Sequence, residues 1–199
     1  MKPVIIYTFA ALYLNYLTNL INFRKELNFP DYFHTNTYFY HIHSIVRFTL
    51  FSIFFIRLDQ AFLYYLKRIL PVFFFLFVIA NFNFFEHIIN YHRVGNLVKS
   101  KLSNNLLAVE AILLLIYCLQ YYLFRMQEDH DEIKKPPDFW VVTGLCIFIV
   151  PCIPIYLFYD KLLEQYNEFS RYIWKVPDLC YLIFCIMIAK AFASSKHGS

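Results

Sequence analysis

The sequence predicts an all-α protein, a polytopic transmembrane helical bundle of about six spans with short loops, and three observations carry that reading. Of its 199 residues 60% are hydrophobic and only 16% charged, whereas a soluble domain is near half apolar and a quarter charged. The apolar residues arrive in blocks of roughly twenty, the length a helix needs to cross a hydrocarbon core about 30 Å thick. Twenty-four Phe and 17 Tyr stand against three Gly, a composition suited to helices that face lipid. A single transmembrane domain over residues 1–199 follows.

The first span runs from about Pro3 to Asn22. It resembles a signal peptide in opening on Met1-Lys2, but it carries Asn15, Thr18 and Asn19 and no small-x-small cleavage site before Arg24, so it reads as a retained span. The second runs from about Tyr38 to Ile56 and ends at Arg57. From Arg57 to Arg68, charges flank Phe62, Leu63, Tyr64, Tyr65 and Leu66; the stretch is too short to cross and reads as a hairpin at the interface. Span three is the Phe-dense run from about Ile69 to Ile88, and a connector with Arg93, Gly95, Lys99 and Lys101 leads to span four, Asn105 to Phe124. Gln127 to Asp138 is the most charged stretch and contains Pro136-Pro137, the mark of a solvent loop. Span five opens at Phe139-Trp140. Pro151 and Pro154 lie inside it, which predicts a helix kinked or interrupted near mid-membrane, as bilayer proteins tolerate. After the connector Asp160 to Arg171, span six covers about Tyr172 to Ala193, and Trp140 and Trp174 near span starts suit interfacial belts.

Charge and cysteine usage exclude several classes. The net charge of +4 is spread over connectors without a basic cluster, so direct nucleic-acid binding is not expected. Cys118, Cys146, Cys152, Cys180 and Cys185 all lie in apolar stretches and form no CxxC or Cys/His pair at metal spacing; they read as packing residues. No lipidation motif is present, Lys196-His197-Gly198-Ser199 being no CaaX box. Arg125 and His130 fit the Arg-x4-His spacing of HEPN ribonucleases, but seven Arg, three permitted spacings and seven His in 199 residues yield about 0.7 such matches by chance. With six spans both termini share a side. That side holds Lys2, Arg57, Lys67, Arg68, Arg125, Lys134, Lys135, Lys190 and Lys196, nine cations, against seven (Arg24, Lys25, Arg93, Lys99, Lys101, Lys161 and Arg171) on the other. The positive-inside rule then places both termini in the cytoplasm.

Polar groups within spans are costly and usually face the bundle interior, and here they share one leaflet. Span one carries Asn15, Thr18, Asn19 and Asn22 on one face; span two carries His43 and Arg47 four apart, with His41 off that face. Span three ends in Asn83, Glu86, His87 and Asn90, span four has Glu110, and span six has Lys175 and Asp178. Because consecutive spans run in opposite directions, these residues fall at the same depth side. Arg47 lies about 13 Å into its span and Glu110 about 8 Å, so an interhelical Arg47–Glu110 pair is expected, with Asp178 the other candidate anion.

Three readings of this cluster stand side by side: a buried network that fixes helix register, a water-filled or lipid-headgroup-binding cavity, and a metal site of an intramembrane hydrolase. The last would use His41, His43, His87 and Glu110, but the HxH pair points to two faces of a helix and no HExxH is present, so no metal, cofactor or catalytic residue is expected. The arrangement Asn36-Thr-Tyr-Phe-Tyr-His-Ile-His43, then Asn105-Leu-Leu-Ala-Val-Glu110, Pro137-Asp-Phe-Trp140 through Gly144, and Trp174-Lys-Val-Pro-Asp178 resembles a group of multi-pass membrane proteins of Bacteroidota. That group often carries an acidic residue near where Arg47 stands, and this chain departs there. In size the chain also resembles the small membrane accessory proteins of type VI-B, RNA-targeting CRISPR loci, a resemblance that implies a regulator or effector of antiviral defence. The expected function is a non-enzymatic accessory, regulatory or sensing module of the bacterial inner membrane with a polar cavity in one leaflet; a pore is the alternative. Its expected partners are the bilayer and either another protein or a second copy of the chain.

Overall fold

The computed structural model describes residues 1–23, 37–58, 64–85, 103–127, 136–165, 172–173 and 175–196. Apart from Met1, Leu58, Ser103 and Pro136 these are helical, in six long helices: α1 (Lys2–Phe23), α2 (Thr37–Arg57), α3 (Tyr64–Ala80), α4 (Asn104–Gln127), α5 (Pro137–Gln165) and α6 (Lys175–Lys196). A π-helical turn, Asn81–Phe85, extends α3. Five of the six, α2 to α6, are long and apolar enough to cross a membrane; the chain is a multi-pass helical membrane protein. α1 has 22 residues but stands outside those five, its apolar run diluted by Asn15, Thr18 and Asn19. Large apolar side chains such as Phe9, Leu12, Leu76, Leu157 and Leu182 are exposed, as on helices whose solvent is lipid.

Two expectations change. The stretch from Arg57 to Arg68 is not an interfacial hairpin along its length, because α3 already begins at Tyr64. Lys67 explains the early start: it is buried, and its Nζ donates to the Leu58 carbonyl at 3.2 Å. A lysine recruited to the last carbonyls of α2 joins the following helix instead of the water. In α5, helix continues through Pro151 and Pro154 over 29 residues, so of the two expected outcomes, a kink or an interruption, the interruption is absent. Each proline frees one carbonyl, but the two lie three residues apart on one side of a helix, a local loss that a long apolar helix tolerates.

The chain forms two compact units, Met1–Leu58 with Lys67–Leu107, and Asp59–Leu66 with Ala108–Ser199. In the first, α1 buries Val4, Tyr7 and Ala11 along one face. α2 lies between neighbours: Phe51 meets Tyr7 edge-on at 5.1 Å, and Phe48 stacks on Phe74 of α3 at 4.0 Å. α2 and α3 are antiparallel, since contacts run from Phe48 with Phe74 to Leu58 with Lys67. In the second unit α5 packs along α6, also antiparallel, from Trp140 with Lys190 to Phe148 with Phe184 and Tyr181. The two helices approach closely at Gly144, where a Cβ would stand 2.6 Å from Met187 Cβ. A small residue lets the backbones approach, the packing device of membrane helices. α4 joins this unit through Cys118, whose Sγ faces the Val142 carbonyl at 3.9 Å, and through Tyr122, which donates to Thr143 Oγ1 at 2.9 Å.

Candidate functional site

Serine 103 stands one residue before α4, where a helix leaves its first N–H groups without partners. Its Oγ accepts from the Leu106 N–H at 3.4 Å, three residues on, and its carbonyl accepts from Leu107 at 3.3 Å; this is an N-cap. The same Oγ accepts from Asn81 Nδ2 at 2.9 Å, across from the π-helical turn that ends α3. The Ser103 backbone N–H in turn donates to His41 Nε2, on α2, at 3.0 Å. Phe82 lies against the His41 ring at 5.5 Å. His41, Asn81 and Ser103 are all buried, at 4%, 0% and 1% exposure. Three helix ends of the first unit are thus tied by one dry polar clamp.

The clamp fixes protonation geometry. A Nε2 that accepts a hydrogen bond carries no proton, so His41 in this arrangement holds its proton on Nδ1. The Nε2 lone pair is taken by a backbone amide, and the Ser103 hydroxyl by a cap and an amide. The pair is therefore arranged for holding helices, not for a base abstracting the serine proton, which needs an Nε2 to Oγ bond.

Sequence reasoning selected the neighbours of these residues. Asn83 is exposed and Asn81 is buried, because residues two apart along a helix point to nearly opposite sides. His43 is half-buried, its ring 5.9 Å from that of Tyr7 on α1, while His41 reaches α3 and α4. Ser103 was absent from the expected set altogether; a serine followed by Asn-Asn-Leu-Leu-Ala was the available signal, a cap before an apolar run.

The remaining expected residues are distributed over both units. Asn15 and Asn19 are exposed, not turned into the unit. Tyr7 packs between His43 and Phe51. Arg47 is buried at 5% exposure, one turn beyond His43 in the first unit, and Glu110 is fully buried in the second. Lys175 is exposed with its Nζ 4.9 Å from the Tyr172 ring, and Asp178 is exposed one turn on. Glu86 and His87 lie outside the described residues. Among the described residues no three His, Cys, Asp or Glu side chains gather to hold a metal ion.

Comparisons of the chain with protein-family models, with curated proteins and with solved structures find no match.

Proposed function

We propose that this protein is a non-enzymatic accessory or sensing module of the bacterial inner membrane, with both termini in the cytoplasm. The observation that carries the reading is the clamp of His41, Asn81 and Ser103, which ties α2, α3 and α4 at one end of the first unit. Buried polar contacts of this kind have few alternative arrangements in hydrocarbon, so a ligand or partner that competes for one of them shifts three helices together. The nine-to-seven distribution of Lys and Arg, counted with α1 as a sixth crossing helix, supports the orientation. The likeness to accessory proteins of RNA-targeting CRISPR loci supports a role in antiviral defence, with a partner protein at the membrane; a gene neighbourhood without such a locus would remove that part.

Purification from the native host in mild detergent tests the module reading. A partner protein should accompany the wild type and be lost from Ser103→Ala, which opens the clamp, while Lys175→Gln keeps it. Repeated recovery of the chain alone, together with an enzymatic activity, refutes the proposal.

A second reading, a pore, is favoured by Arg47, a cation buried within a membrane-crossing helix. The continuity of α5 through its prolines removes the helix break that would have lined a water path. Reconstituted liposomes decide: a conductance lost on Arg47→Leu establishes the pore, and tight liposomes across a range of triggers exclude it.

A further inference from the structure

We propose that one end of the second unit, where α4 ends, α5 begins and α6 nears its close, binds the phosphodiester of an anionic phospholipid, and that Lys190 is the cation that contacts it. The Lys190 ammonium sits 3.5 Å from the centre of the Trp140 ring. That ring belongs to a continuous series across two helices: Trp140 meets Phe139 at 5.6 Å, Phe139 meets Tyr122 at 6.2 Å, and Tyr122 meets Tyr121 at 5.8 Å. At the far end of the series Arg125 lies over Tyr121, its Nε donating to the phenol oxygen at 3.4 Å. The Tyr122 hydroxyl is anchored on Thr143, which itself donates to the Phe139 carbonyl at 2.7 Å. The array is therefore held in place before any lipid arrives, and little ordering is left for binding to impose.

Depth and charge decide what the array faces. Trp140 is three residues from the start of α5, and Lys190 is six from the end of α6. At about 1.5 Å per residue both lie within roughly 10 Å of a helix end, the level at which aromatic belts meet headgroups. Lys190 is exposed, and among the described residues no carboxylate pairs with it. Arg125 shares the field of Asp138 and contributes less. The opposite end of α6 offers an internal comparison: Lys175 also lies over a ring, Tyr172, and has the carboxylate of Asp178 one turn further along the same helix. Aromatic face and headgroup phosphate can act on one ammonium together, since the ring covers one side and leaves its other donors available. The proposal rests on the membrane reading and on the orientation above, which turns this end to the cytoplasmic leaflet, where anionic headgroups attract basic groups.

The test is thermal unfolding of the purified full chain in detergent supplemented with phosphatidylglycerol or with phosphatidylcholine. Phosphatidylglycerol should raise Tm above phosphatidylcholine by about 2–4 °C. The difference should vanish in Lys190→Gln, persist in Lys190→Arg, which keeps the charge, and persist in Lys175→Gln. Equal Tm in the two lipids overturns the proposal, as does loss of the difference in Lys175→Gln to the same extent. Inorganic phosphate giving the same rise would make this a free-anion site and overturn the lipid assignment. No partner protein enters this assay, so its failure is distinct from failure of the module reading.

Discussion

Replacing Ser103 by alanine removes two contacts at once and leaves a third intact. The cap on the Leu106 N–H is lost, a change that costs about 1 kcal/mol. Asn81 Nδ2 loses its acceptor inside a fully buried side chain, which costs about 0.6 kcal/mol on average and up to about 1.7 kcal/mol for polar contacts between membrane helices. The backbone donation to His41 survives, because alanine keeps its N–H. The sum is about 1.6–2.7 kcal/mol, a fall in Tm of roughly 3–11 °C for a chain of this length. Asn81→Leu in the same background separates the parts. Once the buried amide is gone, Ser103→Ala should cost only the cap, so the two substitutions together lose less than their sum by about 0.6–1.7 kcal/mol. Unfolding monitored by tryptophan fluorescence in detergent, run on the wild type, both single variants and the double, measures that coupling. Strictly additive losses would show that Asn81 and Ser103 do not meet, and the clamp would fall with them.

Gly144→Ala should lower stability by about 1–3 kcal/mol through overpacking, although alanine is the better helix former; a gain in Tm would mean that α5 and α6 are not in close contact at Met187. Lys67→Met, which keeps the volume but leaves the Leu58 carbonyl without its charged donor, should cost about 1.5–3 kcal/mol; a loss below about 0.5 kcal/mol would refute the capping role.

The spans were legible in the sequence because their signal is collective. Twenty apolar residues in a row state a membrane crossing whatever any one of them does, and α2 and α4 begin within a residue of the expected Tyr38 and Asn105. Where a single residue decides, the reading slipped. The start of α3 depended on Lys67, whose charge suggested an interface, although its amine serves the carbonyl of Leu58. The prolines of α5 suggested a kink or a break because a proline frees a carbonyl, and a helix of 29 residues carries both without a break.

The site was less legible than the fold, and the reason lies in α2. Two histidines two residues apart must look in nearly opposite directions, and nothing in the local sequence tells which direction leads to a polar neighbour. Here His43 turns to Tyr7 of α1, and His41 turns to Ser103, 62 residues away. The same helix turns Phe51 to α1 and Phe48 to α3. α2 therefore cannot rotate without lifting His43 from Tyr7 and His41 from Ser103 in the same movement. The second of these contacts sits on the residue that caps α4, and α4, beginning in the first unit, supplies the Cys118 and Tyr122 contacts of the second. A perturbation felt at α1 thus has a physical route to the N-terminus of α4, made of two ring contacts and one amide hydrogen bond.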